Sequence, residues 1–129
     1  MAVSEDQVRL AVPATPEFLR LARVTATGLA SRLGFTFDEV EDLRLAIDEL
    51  CFALIGTKGR AGTVQLTYLI HTDALEVEGT GAFTDRAESG SVTVSELSER
   101  ILDALVDEHE VRPDGDRPTF RLLKRHIGA

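Results

Sequence analysis

Residues 39–55, EVEDLRLAIDELCFALI, decide how the chain is read. Val40, Leu43, Ile47, Leu50, Cys51 and Leu54 recur at steps of three and four, which lays an apolar stripe along one face of a helix. Thr36-Phe37-Asp38-Glu39 in front of the stripe is a Thr-x-x-Glu capping box, so the helix start is predicted at this point. Deep in the run stands Asp48-Glu49, followed by Cys51, Phe52 and Ala53. Carboxylates so far inside an apolar helix lie either at its solvent edge or in a pocket, and the stretch alone leaves both readings open.

Composition bounds the function classes. The chain has 129 residues, 43% hydrophobic and 28% charged, which predicts one globular domain over residues 1–129 with a real core. A net charge of −8 argues against binding nucleic acid through its phosphates and favours a basic protein partner. The single cysteine, Cys51, has no disulfide partner and sits on the apolar helix face, as expected of a structural thiol in a reducing compartment. No apolar run approaches the roughly 20 residues that span a bilayer, and the N-terminus lacks a basic-then-apolar signal pattern. A cytoplasmic protein without a membrane segment is expected.

Outward from the central helix, Val8, Leu10 and Val12 alternate with Gln7, Arg9 and Ala11 as a first strand closed by Pro13. Thr15-Pro16-Glu17 opens a helix that runs to about Leu33, with Gly34 after it. Its buried stripe is read as Phe18, Leu21, Ala22, Thr25, Leu29 and Leu33, and Arg20, Arg23 and Arg32 form a basic outer surface. The glycine-rich stretch 56–62, GTKGRAG, lacks the ending of a phosphate-binding P-loop and reads as a flexible connector. Val64, Leu66, Tyr68 and Ile70, then Leu75 and Val77, alternate with polar residues as an antiparallel hairpin with one dry face. Residues 79–83, GTGAF, read as a break in the return strand, and 84–90 as polar loop.

Val94, Leu97, Ile101, Leu102, Leu105 and Val106 predict a third helix over about 92–108 with an acidic outer face. Residues 112–118 form a turn-rich loop, Phe120 and Leu122 a last strand, and Lys124-Arg125-His126 a basic tail. His71, His109 and His126 have no partners at ligand spacing, so no metal is assigned. The order strand, helix, helix, hairpin, helix, strand predicts an α+β fold: a two-layer α/β sandwich with helices on one face of a mainly antiparallel sheet.

This order, with LARVT at residues 21–25 and VEDLRLAIDELC at 40–51, resembles the bacterial anti-sigma factor and serine-protein kinase family of the gyrase and histidine-kinase type (Bergerat, GHKL) ATPase fold. The resemblance implies three nucleotide motifs, and each is altered. Glu49 matches the family's general base, but the position of its magnesium-binding Asn holds Ala53, whose methyl group cannot ligate a metal. In the Asp-x-Gly-x-Gly motif, Gly79 and Gly81 are kept while Val77 stands where the adenine-binding Asp belongs. The glycine-rich start of the last helix is absent, and Glu96 and Glu99 would repel phosphates there.

Under the resemblance Glu49 is therefore a vestigial base position, and Glu49, Ala53, Val77, Gly79 and Gly81 are pocket remnants. The function it implies is an anti-sigma factor that sequesters an RNA polymerase sigma factor and is released by a STAS-type anti-anti-sigma protein. Neither ATP nor magnesium is expected as a cofactor, and a homodimer is among the implied assemblies. Arg23 falls where the family's first helix carries an arginine that pairs with acidic groups of the sigma factor, and Arg20 is carried beside it as a candidate contact. One alternative is an active ATP-dependent serine kinase acting on the anti-anti-sigma antagonist. Another is a pseudo-ATPase scaffold or small-ligand sensor.

Overall fold

A computed structural model describes residues 6–84, 94–114 and 117–127. The elements follow in the order β1 (Asp6–Pro13), α1 (Pro16–Arg32), α2 (Phe37–Ile55), β2 (Gly62–Ile70), β3 (Ala74–Phe83), α3 (Glu96–Leu105), β4 (Glu108–Arg112) and β5 (Thr119–Arg125). The strands form one sheet in the order β1-β2-β3-β5-β4, with every neighbouring pair antiparallel. The expected α+β sandwich is present. No helix among the described residues is long and apolar enough to cross a membrane.

The period-two pattern of the strands separates two faces. Val64, Leu66 and Tyr68 of β2, Leu75 and Val77 of β3, and Phe120 and Leu122 of β5 are buried beneath the helices. The opposite face is polar: Arg121 of β5 donates to Glu76 of β3 across 2.5 Å and to Glu108 of β4 across 2.9 Å. His71 Nε2 lies 3.0 Å from the same Glu76. This face also holds a cavity of about 360 Å³ bordered by Glu78, Thr80, Glu110, Arg112, Thr119 and Arg121.

On the helix side, α2 is the central element. Its capping box forms as the sequence predicts: the Thr36 hydroxyl accepts from Glu39 N at 3.2 Å, and Thr36 N donates to the Glu39 carboxylate at 2.8 Å. Leu43, Ala46, Ile47, Leu50, Cys51 and Leu54 are buried along one stripe. Helix α1 differs from expectation. Its buried residues are Leu19, Ala22, Ala26 and Ala30, whereas Phe18 and Leu21 are exposed. Alanines let α1 approach its neighbours closely, and Tyr68 exploits that approach by donating its hydroxyl to the Ala22 carbonyl at 2.8 Å.

Four further expectations are corrected. Strand β3 continues unbroken through Gly79 and Gly81 to Phe83, paired with β2 throughout. The third helix ends at Leu105, and the chain then forms an edge strand, β4, that the helical reading missed. Of the residues expected to start that helix, 92 and 93 lie outside the described residues, as does the expected loop beyond Thr84. The 56–62 loop is pinned: Arg60 N donates to the Ala14 carbonyl at 2.8 Å, its guanidinium stacks on Phe83 at 3.9 Å, and Gly59 (φ +81°) passes so close that a Cβ would lie 2.7 Å from Ala14 O.

The basic tail is the last correction, because it belongs to the fold. Lys124 donates to the Leu105 carbonyl at 2.7 Å, while His126 stacks on Phe35 and binds Glu39 at 2.7 Å.

Candidate functional site

The residues singled out on α2 and β3 fall into separate surroundings: Glu49 meets α3, while Val77, Gly79 and Gly81 lie on the helix-facing side of the sheet. Glu49 is half-buried on the side of α2 that meets α3, and Ala53 stands one turn further on. The Ser98 hydroxyl of α3 donates to Glu49 Oε2 across 2.5 Å. Ser98 is placed by the cap of its own helix, where the Ser95 hydroxyl accepts from Ser98 N at 3.0 Å. The start of α3 is thus held by serine side chains where the family pattern has glycines. The short contact makes Glu49 a carboxylate already engaged by a hydroxyl.

Val77 is fully buried in the core under the helices. Neither neighbouring acid can take its place. Glu76 and Glu78 point to the opposite face, where Glu76 is held by His71 and Arg121. Gly79 and Gly81 also face the helix side, and aromatic rings cover both. A Cβ on Gly79 would lie 2.3 Å from the Phe120 ring, and one on Gly81 would lie 2.5 Å from the Phe83 ring. A side chain at either position would have to displace a ring. The sequence showed the glycines but gave no sign that Phe120 and Phe83 would fill the space above them.

The second cluster lies between α1 and α2. Arg23 Nε is 3.5 Å from Asp48 Oδ1, and both side chains are about a quarter to a third exposed. Burial raises the Asp48 carboxyl above its ordinary value, and the nearby Arg23 and Arg44 oppose the rise without cancelling it. Asp48 and Glu49 therefore divide the opening question between them: one faces α1 and the other faces α3. Arg20 is exposed on the outer surface of α1, with no ion pair among the described residues.

Cys51 lies in the core, and its thiol is pushed up to about 12 by burial and by the charge of Asp48, so it is inert. Among the described residues, no cluster of three or more His, Cys, Asp or Glu could hold a metal.

The antiparallel sheet, the helices on one of its faces and the acidic α2 above the Gly-x-Gly strand define a protein of the gyrase and histidine-kinase type ATPase class. No protein-family model matches the chain. It is 32% identical to serine-protein kinase RsbW of Bacillus subtilis (strain 168) over 130 residues, 87% of this chain and 81% of that protein. Serine-protein kinase RsbW of Bacillus pumilus is 31% identical over 127 residues, 83% of this chain and 78% of that protein. The Listeria monocytogenes (EGD-e) protein of the same name is 39% identical over 80 residues, 60% of this chain and 51% of that protein. The chain belongs to the serine-protein kinase RsbW family, the anti-sigma factor and serine-kinase branch of that class.

Proposed function

We propose that this chain is a cytoplasmic, non-catalytic anti-sigma factor of the RsbW family. It sequesters a sigma factor through α1 and is released by a STAS-type anti-anti-sigma protein that competes for an overlapping face. The observation that carries the non-catalytic part is the pair of rings packed over Gly79 and Gly81. The family's nucleotide needs open space there, together with an Asp on the strand and an Asn on α2. Buried Val77 offers no acceptor to an adenine, and Ala53 offers no oxygen to magnesium. Glu96 and Glu99 in the first turn of α3 oppose a triphosphate. These residues do not fit Mg-ATP, and release then depends on competition between protein partners.

Exposed Arg20 and partly exposed Arg23 support α1 as the sigma-binding surface, since Arg is the residue best suited to pairing with carboxylates at an interface. A partner carboxylate reaching Arg23 would compete with Asp48. The test is affinity purification of the tagged chain from its native cells, with the retained proteins identified by mass spectrometry. A sigma factor and a STAS protein should be retained, and Arg20→Ala/Arg23→Ala should lose the sigma factor. Retention of neither protein overturns the proposal.

The competing reading, an active serine kinase, draws on the name of the relatives and on the engagement of Glu49 by a serine hydroxyl. Transfer of γ-phosphate to a purified STAS partner, abolished by Glu49→Ala, would establish it.

A further inference from the structure

The Arg23–Asp48 pair between α1 and α2 is incomplete on both sides. Arg23 Nε is enclosed and makes no hydrogen bond. Its separation of 3.5 Å from Asp48 Oδ1 is longer than the usual N–H···O bond of about 2.7–3.2 Å. Among the described residues Arg23 has no other partner. A contact serving only to tie the helices together would close to bonding length, as Arg44 does on Glu41 at 2.9 Å. An enclosed N–H without an acceptor lowers stability, so this arrangement calls for a role beyond holding the fold.

Asp48 is served no better. It accepts no hydrogen bond among the described residues, and burial outweighs the pull of Arg23 and Arg44, leaving its carboxyl raised. Arg44 stands four residues before it on the same face of α2 and feels its charge. On α1, exposed Arg20 lies three residues before Arg23 and has no ion pair among the described residues. One arginine is thus held loosely by an acid of the chain itself, beside a second that no described acid holds.

We infer that Asp48 is an internal competitor for Arg23: it holds the guanidinium in the place of a partner's carboxylate and yields it to an acidic segment that reaches α1. The inference rests on α1 being the partner-binding surface, and it makes Asp48 a residue that sets the affinity of that surface. The exchange gives the Arg23 Nε–H the acceptor it lacks, in a charge-assisted bond of full strength. It leaves no stranded charge on α2, because Arg44 remains beside Asp48. Arg20, one turn before Arg23, offers a second guanidinium to the same acidic segment.

The test is fluorescence anisotropy on the full chain with a labelled helical peptide carrying glutamates on one side and leucines on the other. Salt is held at about 0.15 M, where screening over about 8 Å limits repulsion from the chain's net charge of −8. The peptide should bind saturably, and Arg23→Ala should weaken it about tenfold. Asp48→Asn should tighten it about three- to fivefold. Asp38→Asn, the same charge change at an exposed position near the start of α2, should leave it unchanged. In Arg23→Ala the added Asp48→Asn should give no gain, because Asp48 acts through Arg23. Circular dichroism checks that each variant is folded. The inference is overturned if Asp48→Asn binds no more tightly than the unaltered chain, if Asp38→Asn tightens binding as much, or if the gain persists without Arg23. In those cases a loss in Arg23→Ala still supports α1 as the partner surface. A peptide that binds no variant, or binds equally well without Arg23, also overturns the inference, and sigma binding then stands or falls on the capture experiment alone.

Discussion

Phe120 of β5 packs its ring directly over Gly79 of β3, its partner in the sheet register, so closely that a β-carbon on the glycine would lie 2.3 Å from the ring. Gly79→Ala should therefore destabilise the fold by about 1–3 kcal/mol through overpacking. Phe120→Ala should cost about 3–5 kcal/mol by opening a cavity. Urea denaturation followed by circular dichroism measures both, and a neutral Gly79→Ala would contradict the packing.

Glu39 and Asp48, both on α2, should respond to pH with opposite sign. Burial raises the Glu39 carboxyl, but hydrogen bonds from Ile127 N, Thr36 N and His126 outweigh it and bring the value to about 2 from an ordinary 4.5. Its folded value is depressed, so its stabilising contribution is complete above about pH 4.5 and is lost as pH falls toward about 2. Glu39→Gln should lower the melting temperature at pH 7 and flatten the loss of stability over that acid window.

Asp48 behaves the other way. Its folded value is raised, so its ionised form is disfavoured by folding and opposes stability once the carboxyl has titrated. Asp48→Asn should be neutral to slightly stabilising at pH 7, with the difference vanishing in acid. A loss above about 1 kcal/mol would mean that the Arg23 pair outweighs the cost of burial.

Tyr68→Phe removes the hydroxyl that joins β2 to the Ala22 carbonyl of α1 while keeping the ring in place. It should cost about 1 kcal/mol in urea denaturation. Cys51, fully enclosed and with its thiol pushed up to about 12, should react with a thiol reagent only after denaturation.

The parts legible in the sequence were those fixed by local pattern. The Thr36–Glu39 capping box, the stripe from Leu43 to Leu54 and the alternation of β2 depend on residues a few positions apart. What escaped depended on partners far along the chain. Ala26 and Ala30 look like spacers until α1 is seen lying close to its neighbours, and large Phe18 and Leu21, read into the stripe beside Ala22, are exposed. Strand β4 was hidden because Glu108, Glu110 and Arg112 face the polar side of the sheet, leaving only His109 and Val111 as inward residues. Lys124 and His126 read as a tail because their acceptors, Leu105 O and Glu39, are set by folding. Motif comparison singled out Glu49, Ala53, Val77, Gly79 and Gly81. The covering rings and the Ser98 contact required three-dimensional packing.

The most direct measurement is thermal unfolding of the purified chain across a titration of Mg-ATP into the millimolar range. The proposed non-catalytic reading predicts no change in melting temperature at any concentration, since Ala53 offers magnesium no ligand and Val77 offers adenine no acceptor. A saturable stabilisation, reaching about 2.7 kcal/mol at a hundred times the dissociation constant and several degrees for a domain of this size, would contradict it.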